Sequence, residues 1–412
     1  MVEALRTRCC IAGGGPAGMM LGFLLARSGV DIVVLEKHAD FLRDFRGDTI
    51  HPSTMEVMYE LGILDDFLKR PHQKVSELAG QIGGTSVRLA DFSHLPVHCP
   101  YVALMPQWEF LNFIAEKAAK YPQFHLKMEA GVTDLIEDGG RVAGVRAQTP
   151  QGSLEVRADL TVGADGRRSV VRERAGLKVL DLGAPIDVLW MRVSRQPTDP
   201  EVTFGRIDAG RFLALLNREE YWQLAYVIPK GKAEAEVLRQ KGLDALREDL
   251  GRLAPFLRDR VSELRDWNHV KLLTVAVDRL IDRSRPGLLC IGDAAHAMSP
   301  VGGVGINLAI QDAVAAANIL GPKFQQGTVD DDTVRQVQRR RMFPTRATQW
   351  LQVTAQNNVI QRVLESTKPI PVPWPLKLLN RSSWLRRIPA RVVGMGFRPE
   401  HVSTAEASAA RT

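Results

Sequence analysis

TRCCIAGGGPAGMMLGFLLARSGVDIVVLE, residues 7–36, is the stretch on which the fold turns. Residues 7–12 are apolar and read as a strand, residues 19–28 are apolar and read as a helix, and residues 31–36 return to a strand pattern rich in Ile and Val. Between the first strand and the helix stands Gly13-Gly14-Gly15-Pro16-Ala17-Gly18, and Glu36 closes the second strand about twenty residues on. Gly13 permits a tight turn, Gly15 lets the backbone approach a pyrophosphate, and Gly18 lets the helix lie against the strand. The helix start adds N–H groups and the positive end of its dipole, both suited to an anion. Glu36 is placed to accept hydrogen bonds from an adenosine ribose. This is a dinucleotide-binding βαβ unit, and by itself it does not separate FAD from NAD, which share the ADP half.

Residues 9–26 carry no charge and follow Arg6 and Arg8, which imitates a secretory leader or a short membrane span. Five of the first ten residues of that run are Gly or Pro, which break an apolar helix but suit a strand, a turn and a helix start. The run is therefore read as fold. The whole chain of 412 residues is 45% hydrophobic and 25% charged, the balance of a globular enzyme with two or three interlocked domains. Cys9, Cys10, Cys99 and Cys290 have no metal-site or disulfide spacing, so no metal is expected and a reducing cytoplasm is the expected location. Cys9 and Cys10, adjacent on a strand, should point to opposite faces. The net charge of +7 is uneven: residues 331–412 hold 14 Lys/Arg against 5 Asp/Glu, which leaves the preceding 330 residues slightly acidic. The basic character belongs to the C-terminal part, and no nucleic-acid partner is expected.

Further along, Ser53 and Glu56 form a capping box for a helix that Gly62 ends, and residues 63–70 form a second short helix. Residues 75–105 read as short strands and 107–120 as a helix. Asp138-Gly139-Gly140 is a hairpin turn ahead of the strand that ends in DLTVGADG. Residues 183–275 form a different block of alternating strands followed by a helix at 242–252. The α/β character returns at GLLCIGDAA and the helix at 307–320. Two nucleotide-binding segments flanking an inserted sheet imply a discontinuous domain.

Two later motifs sit where ligands of open α/β sheets bind, at the carboxyl ends of buried strands: Gly163-Ala164-Asp165-Gly166-Arg167-Arg168-Ser169, and Gly292-Asp293-Ala294-Ala295-His296 running on through Pro300 and Gly302-Gly303-Val304-Gly305-Ile306-Asn307. Gly302, Gly303 and Gly305 precede a helix, so their N–H groups and the helix dipole can face developing negative charge. Together with the opening βαβ unit, these motifs resemble the single-component (class A) FAD-dependent aromatic hydroxylases, the para-hydroxybenzoate hydroxylase family, over most of residues 7–345. The resemblance implies an α/β fold: a discontinuous FAD-binding Rossmann-like domain of the glutathione-reductase type, an inserted, mainly antiparallel β-sheet substrate domain, and a helical C-terminal segment. The FAD-binding domain is expected over residues 1–74, 106–182 and 276–345, the substrate domain over 75–105 and 183–275, the helical segment over 346–400 and a flexible tail over 401–412.

The same resemblance implies FAD as cofactor and NAD(P)H as reductant, with dioxygen activated as a flavin hydroperoxide that hydroxylates an aromatic or other apolar substrate. It implies contacts to FAD from Gly13, Gly15, Ala17, Gly18, Glu36 and Lys37, from Arg46 after the second strand, and from Gln107. Asp165 would lie near the pyrophosphate, Asp293 on the ribityl chain and Pro300 beside the flavin ring. Gly305, Ile306 and Asn307 would place main-chain donors at the N1 and O2 edge. Ser299 departs from the two consecutive prolines of the founding enzyme, which bears on the rigidity of that loop. His296 is read as structural, and no general base is identified. A second GxGxxG is lacking, as expected where NAD(P)H binds transiently to the flavin domain.

The chemistry needs a dry pocket beside the flavin, with the inserted sheet as its natural wall. On the strand at 221–228, Trp222, Leu224 and Tyr226 share one face and Tyr221, Gln223 and Ala225 the other. Trp222, Tyr226 and Trp190 are the candidate substrate contacts. No convergent Arg or Lys for a carboxylate is evident, which points to a neutral, apolar, phenol-like substrate. Same-fold reductases, halogenases and silent flavin-binding proteins are the rivals; YWQLAYVIPKG lacks the aromatic markers of the first two. Trp374, Trp384 and Arg386-Arg387 suit a helix packed over the substrate domain, or else a weak contact with a membrane surface. A monomer or homodimer is expected.

Overall fold

The computed structural model describes residues 3–42, 49–201, 203–327, 329–368 and 370–407. The first strand runs over Glu3–Ala12 and pairs in parallel with Ile32–Leu35 on one side and Gly152–Gly163 on the other. Phe124–Lys127 and Leu288–Cys290 extend the parallel sheet outward in the two directions. A parallel sheet must be covered on both faces, and Cys9 and Cys10, both fully buried, mark the two coverings. Cys9 packs with Ile11, Val34 and Val162 under the helices Pro16–Arg27, Gln107–Ala118 and Gly305–Gln325. Cys10 packs with Ala12 and Leu35 against Val145 and Val156, contributed by an antiparallel extension of the sheet. That extension contains the hairpin of strands Gly131–Asp138 and Arg141–Thr149, and its turn glycines Gly139 and Gly140 both have positive φ.

A second, seven-stranded sheet combines Glu77–Ile82 and Thr85–Asp91 with Phe204–Asp208, Arg211–Asn217, Tyr221–Pro229, Ile186–Ser194 and Lys271–Leu273. All its pairings are antiparallel except Phe204–Asp208 with Glu77–Ile82, the join between the two separated stretches of chain. Among the described residues, one helix, Val301–Gln325, is long and apolar enough to cross a bilayer, and 72% of its most apolar window lies buried inside the protein. It is a core helix. The leader-like run at 9–26 divides into strand, turn and helix.

Two local expectations fail for physical reasons. The helix Pro52–Glu60 starts with Pro at its first turn and His51 as N-cap, so Ser53 is two positions too deep to cap it. Glu56 instead accepts from the backbone N–H of His98 at 2.7 Å. The tail expected to be flexible from 401 is pinned through 407. Val402 N donates to Glu60 Oε2 (2.7 Å), Tyr121 donates to Glu406 Oε1 (2.7 Å), and Ala407 N donates to Arg27 O (2.9 Å).

The long core helix carries one acidic group, Asp312, fully buried. Its Oδ2 accepts from the Gly292 N–H (3.2 Å), faces His296 Nε2 at 2.6 Å and accepts from Arg283 Nη1 (3.3 Å), while Oδ1 accepts from Arg341 Nε (2.9 Å). Burial alone would raise this carboxyl, but His296, Arg283 and Arg341 outweigh it and hold Asp312 well below the usual carboxylate range. The cluster ties the strand end at Gly292 to the helices Gly305–Gln325 and Asp331–Ala355. Asp312→Asn leaves buried guanidinium groups uncompensated and should cost about 3–5 kcal/mol of unfolding free energy in a denaturant titration. A loss below about 1 kcal/mol would refute this role for the cluster.

Candidate flavin site

The glycine turn separates into positions that the fold needs and one that it does not. Gly13 has φ +110°, and a Cβ there would stand 2.4 Å from Ala164 O; a Cβ on Gly18 would stand 1.9 Å from Gly13 O. These glycines allow the turn to lie on the neighbouring strand end and the helix to lie on the turn. Gly15 is different: its backbone is extended (φ −76°, ψ −178°), and a Cβ there would meet no atom of the described residues within 4 Å. The chain leaves open space in front of the first turn of the helix, where its N–H groups have no intrahelical partners. Such a cradle fits a pyrophosphate. Glu36, buried at the end of the second strand, accepts from Gly14 N at 2.9 Å and His38 N at 3.1 Å, which fixes its carboxylate behind the turn. Lys37 follows it on the surface, with Gly131 packed closely behind its Cβ.

Two other strand ends converge on the same place. Gly163-Ala164-Asp165 continues the second parallel strand, and Ala164 N donates to Ala12 O at 2.7 Å, directly behind Gly13. The Asp165 carboxylate turns into its own chain: Oδ1 accepts from Ser169 Oγ (2.5 Å) and Oδ2 from Val171 N (3.1 Å) at the start of the short helix Val170–Arg174. Burial nevertheless pushes the Asp165 carboxyl upward. Gly292 has φ +57°, and a Cβ on it would lie 2.9 Å from the Cβ of Ala17, so the half-buried Asp293 is delivered beside the first helix. His296 is fully buried on Asp312, a structural placement.

The loop from 299 to 307 is held from two sides. Ser299 N donates to Gln352 Oε1 (3.1 Å), while Gln352 Nε2 donates to Ser299 O (3.0 Å) and Val301 O (2.9 Å). Gln356 Nε2 reaches Ser299 Oγ from the π-helical turn Gln356–Ile360. Glutamines thus supply the restraint where the resembling family has a second proline, leaving Pro300 at the loop's bend. On the other side Thr49 Oγ1 donates to Gly303 O (2.8 Å). The Asn307 side chain accepts from His51 N and Thr54 Oγ1, each at 2.8 Å, and donates to Thr49 O at 2.9 Å. With its side chain so engaged, Asn307 joins Gly305 and Ile306 in presenting backbone N–H groups at the helix start. Gln107 stands at the first turn of the helix Gln107–Ala118. Arg46 and its neighbours Gly47 and Asp48 lie outside the described residues.

Beside this loop is a cavity of about 210 Å³, bounded by Val301, Val304, Leu308, Leu351, Val392 and Met395 with His51 and Arg341. Burial lowers His51 to about 4, so its ring is neutral near pH 7. Arg341 is already paired with Asp312 and with Glu400 (3.1 Å). The sheet is not among the cavity's walls, contrary to expectation. The sheet face that looks toward Val301, carrying Val188, Trp190, Phe212 and Val227, is covered by Ile360 and Leu364. Trp222 and Tyr226 are on the opposite face, where they pack with Leu246 and Leu250 of the helix Leu243–Leu253. There Trp222 donates to Asp199 (2.9 Å) and Tyr226 to Asp249 (3.0 Å). The two aromatics are core, because an amphipathic helix claims their face; Trp190 alone of the three stands on the face toward the loop.

The FAD binding domain family matches residues 6–350 of this chain. The chain is 31% identical to 6-methylpretetramide 4-monooxygenase of Streptomyces rimosus, with 89% of this chain and 88% of that protein covered. It is 25% identical to para-nitrophenol 4-monooxygenase of Pseudomonas sp. strain WBC-3, with 81% and 82% covered. Its fold matches that of Pseudomonas aeruginosa PqsL in complex with 2-aminobenzoylacetate at a TM-score of 0.74 and 23% identity, over 87% of this chain and 97% of that one. The chain belongs to the FAD-binding-domain family and is an FAD-dependent monooxygenase of the aromatic-hydroxylase kind.

Proposed function

We propose that the enzyme uses NAD(P)H and dioxygen to hydroxylate a neutral, largely apolar aromatic compound, lodged in the cavity beside the 299–307 loop. The supporting observation is the lining of that cavity: mainly apolar side chains, the neutral His51, uncharged polar groups from Ser53, Gln311, Thr348 and Gln352, and one guanidinium already paired with Asp312 and Glu400. Among the described residues, an anionic substrate would find no unmatched cation in that lining. In the bound enzyme, Gly13–Gly15 and the following helix start would hold the pyrophosphate, Glu36 the adenosine ribose and Asp293 the ribityl chain, with Lys37, Gln107 and Arg46 completing the contacts. FAD supplies acceptance of two electrons from NAD(P)H and the activation of dioxygen for transfer of one oxygen atom. The N–H groups of Gly305, Ile306 and Asn307 would face the end of the ring that becomes negative on reduction, an arrangement already in place before reaction. Pro300 would bound the ring, and the aliphatic cavity would keep water from the reacting oxygen. Asp165 acts through its backbone and its cap, by holding the strand end against Gly13. NAD(P)H would visit the flavin domain transiently. Four free, buried cysteines support a reducing, cytoplasmic location for a monomer or homodimer.

The FAD-loaded enzyme should oxidise NADH or NADPH at least about tenfold faster with an apolar phenol, and labelled dioxygen should place one atom in the product. Oxidation indifferent to every aromatic compound would contradict the proposal. Gln352→Leu keeps the volume but strips three loop groups of their partners. It should cost about 1–3 kcal/mol of stability and raise the fraction of NAD(P)H lost as hydrogen peroxide. An unchanged peroxide fraction would show that the glutamine clamp has no part in coupling.

A further inference from the structure

The last two helices, Trp374–Arg381 and Ser383–Met395, each carry the same four-residue face. At positions i, i+3, i+4 and i+7 the first reads Trp374, Lys377, Leu378, Arg381, and the second reads Trp384, Arg387, Ile388, Arg391. These positions form one stripe on a helix. All eight side chains are exposed, with Trp374 at 76% and Trp384 at 64% of full accessibility.

The stripes are not loose ends. The inner sides of both helices are docked on the strand Thr85–Asp91 and its surroundings: Asn380 Nδ2 donates to Ser86 O (3.2 Å), Ala390 is fully buried, and Gly394 packs on Phe92 and Leu95. Arg386 belongs to that inner side, 3.8 Å from Glu77, so the Arg386-Arg387 pair divides between packing and surface. Trp350, 68% exposed on the neighbouring helix Asp331–Ala355, adds a further aromatic group. Residues 366–399 contain seven Lys/Arg and no Asp or Glu. Among the described residues, Lys377, Arg381, Arg387 and Arg391 have no carboxylate partner.

We infer that these two stripes dock the enzyme on an anionic phospholipid surface. Tryptophan prefers the boundary between headgroups and acyl chains, Leu378 and Ile388 can enter it, and the flanking cations can meet lipid phosphates. A second copy of the same face would set like charges against one another, so self-association through it is opposed. The site described above gains a route from this placement. Met395 continues the second stripe one turn beyond Arg391 and lines the cavity, and Leu351, next to Trp350, lines it while half-exposed. The cavity mouth thus borders the docking face, and a lipid-dissolved apolar substrate could enter without crossing water. This route rests on the proposed function; the docking does not.

The test is flotation of the FAD-loaded full chain with vesicles of phosphatidylcholine alone or mixed with phosphatidylglycerol, at low and high salt. Binding to the mixed vesicles only, reversed by salt, is expected. The quadruple change K377E/R381E/R387E/R391E should weaken it by about a hundredfold or more while the flavin spectrum and turnover of a water-soluble phenol stay unchanged. Trp374→Ala with Trp384→Ala should weaken it and abolish the blue shift of tryptophan fluorescence. No binding, binding equal on both vesicles, or charge reversal without effect would overturn the docking. So would tryptophan variants that split a dimer instead. A protein that binds vesicles yet turns over no aromatic compound would leave the docking standing and sink only the proposed function.

Discussion

A side chain on Gly13 would collide with the carbonyl of Ala164, one on Gly18 with the carbonyl of Gly13, and one on Gly292 with Ala17. Everything else in the crevice depends on these close approaches. They draw the carboxyl ends of three parallel strands against one turn and helix start, so that Gly13, Ala164 and Gly292, far apart in the chain, lie close around it. Parallel pairing puts all three ends on the same side of the sheet, and the turn from strand to helix there leaves N–H groups pointing outward. The anion-binding character proposed for this turn therefore rests on backbone, with the side chains around it in a secondary part.

A second layer of constraint keeps this backbone arrangement from relaxing. Asp312 lies under the Gly292 turn and binds Arg283, His296 and Arg341, so a strand, a loop and two helices share one buried charge. Arg341 passes the linkage on to Glu400, and the residues after it return along the first helix to Ala407. The C-terminal segment is thus bolted to the flavin domain at one end and laid on the second sheet at the other. Its position beside the loop at 299–307 gives the cavity a wall, a part expected of the inserted sheet.

The backbone-level features were legible in the chain itself. Glycines at 13, 15 and 18 between two apolar runs, the Asp138-Gly139-Gly140 turn, and an Asp beside Gly at two strand ends each carry a local geometric meaning that tertiary context did not override. The surface to which a strand's face is assigned was not legible. Alternation along residues 221–228 separates Trp222 and Tyr226 from Gln223 and Ala225, but which set faces the flavin depends on where the Leu243–Leu253 helix packs, a long-range fact. Side-chain polar networks were equally hidden. Nothing local links Gln352 and Gln356 to Ser299, or Asn307 to His51 and Thr54, because their spacings in sequence run from 53 to 256 residues. Ser53 shows the converse error: a pattern with local meaning was displaced by Pro52, which begins the helix earlier.

The central claim is that the open space before Gly15 exists for a ligand, since among the described residues no atom lies within 4 Å of a Cβ placed there. Gly15→Val tests this directly, because extended backbone accepts valine and its side chain would enter that space alone. Titration of the FAD-free variant with FAD should show affinity lowered by about a hundredfold or more, with thermal stability of the FAD-free protein close to that of the parent. FAD binding equal to the parent's would contradict the account.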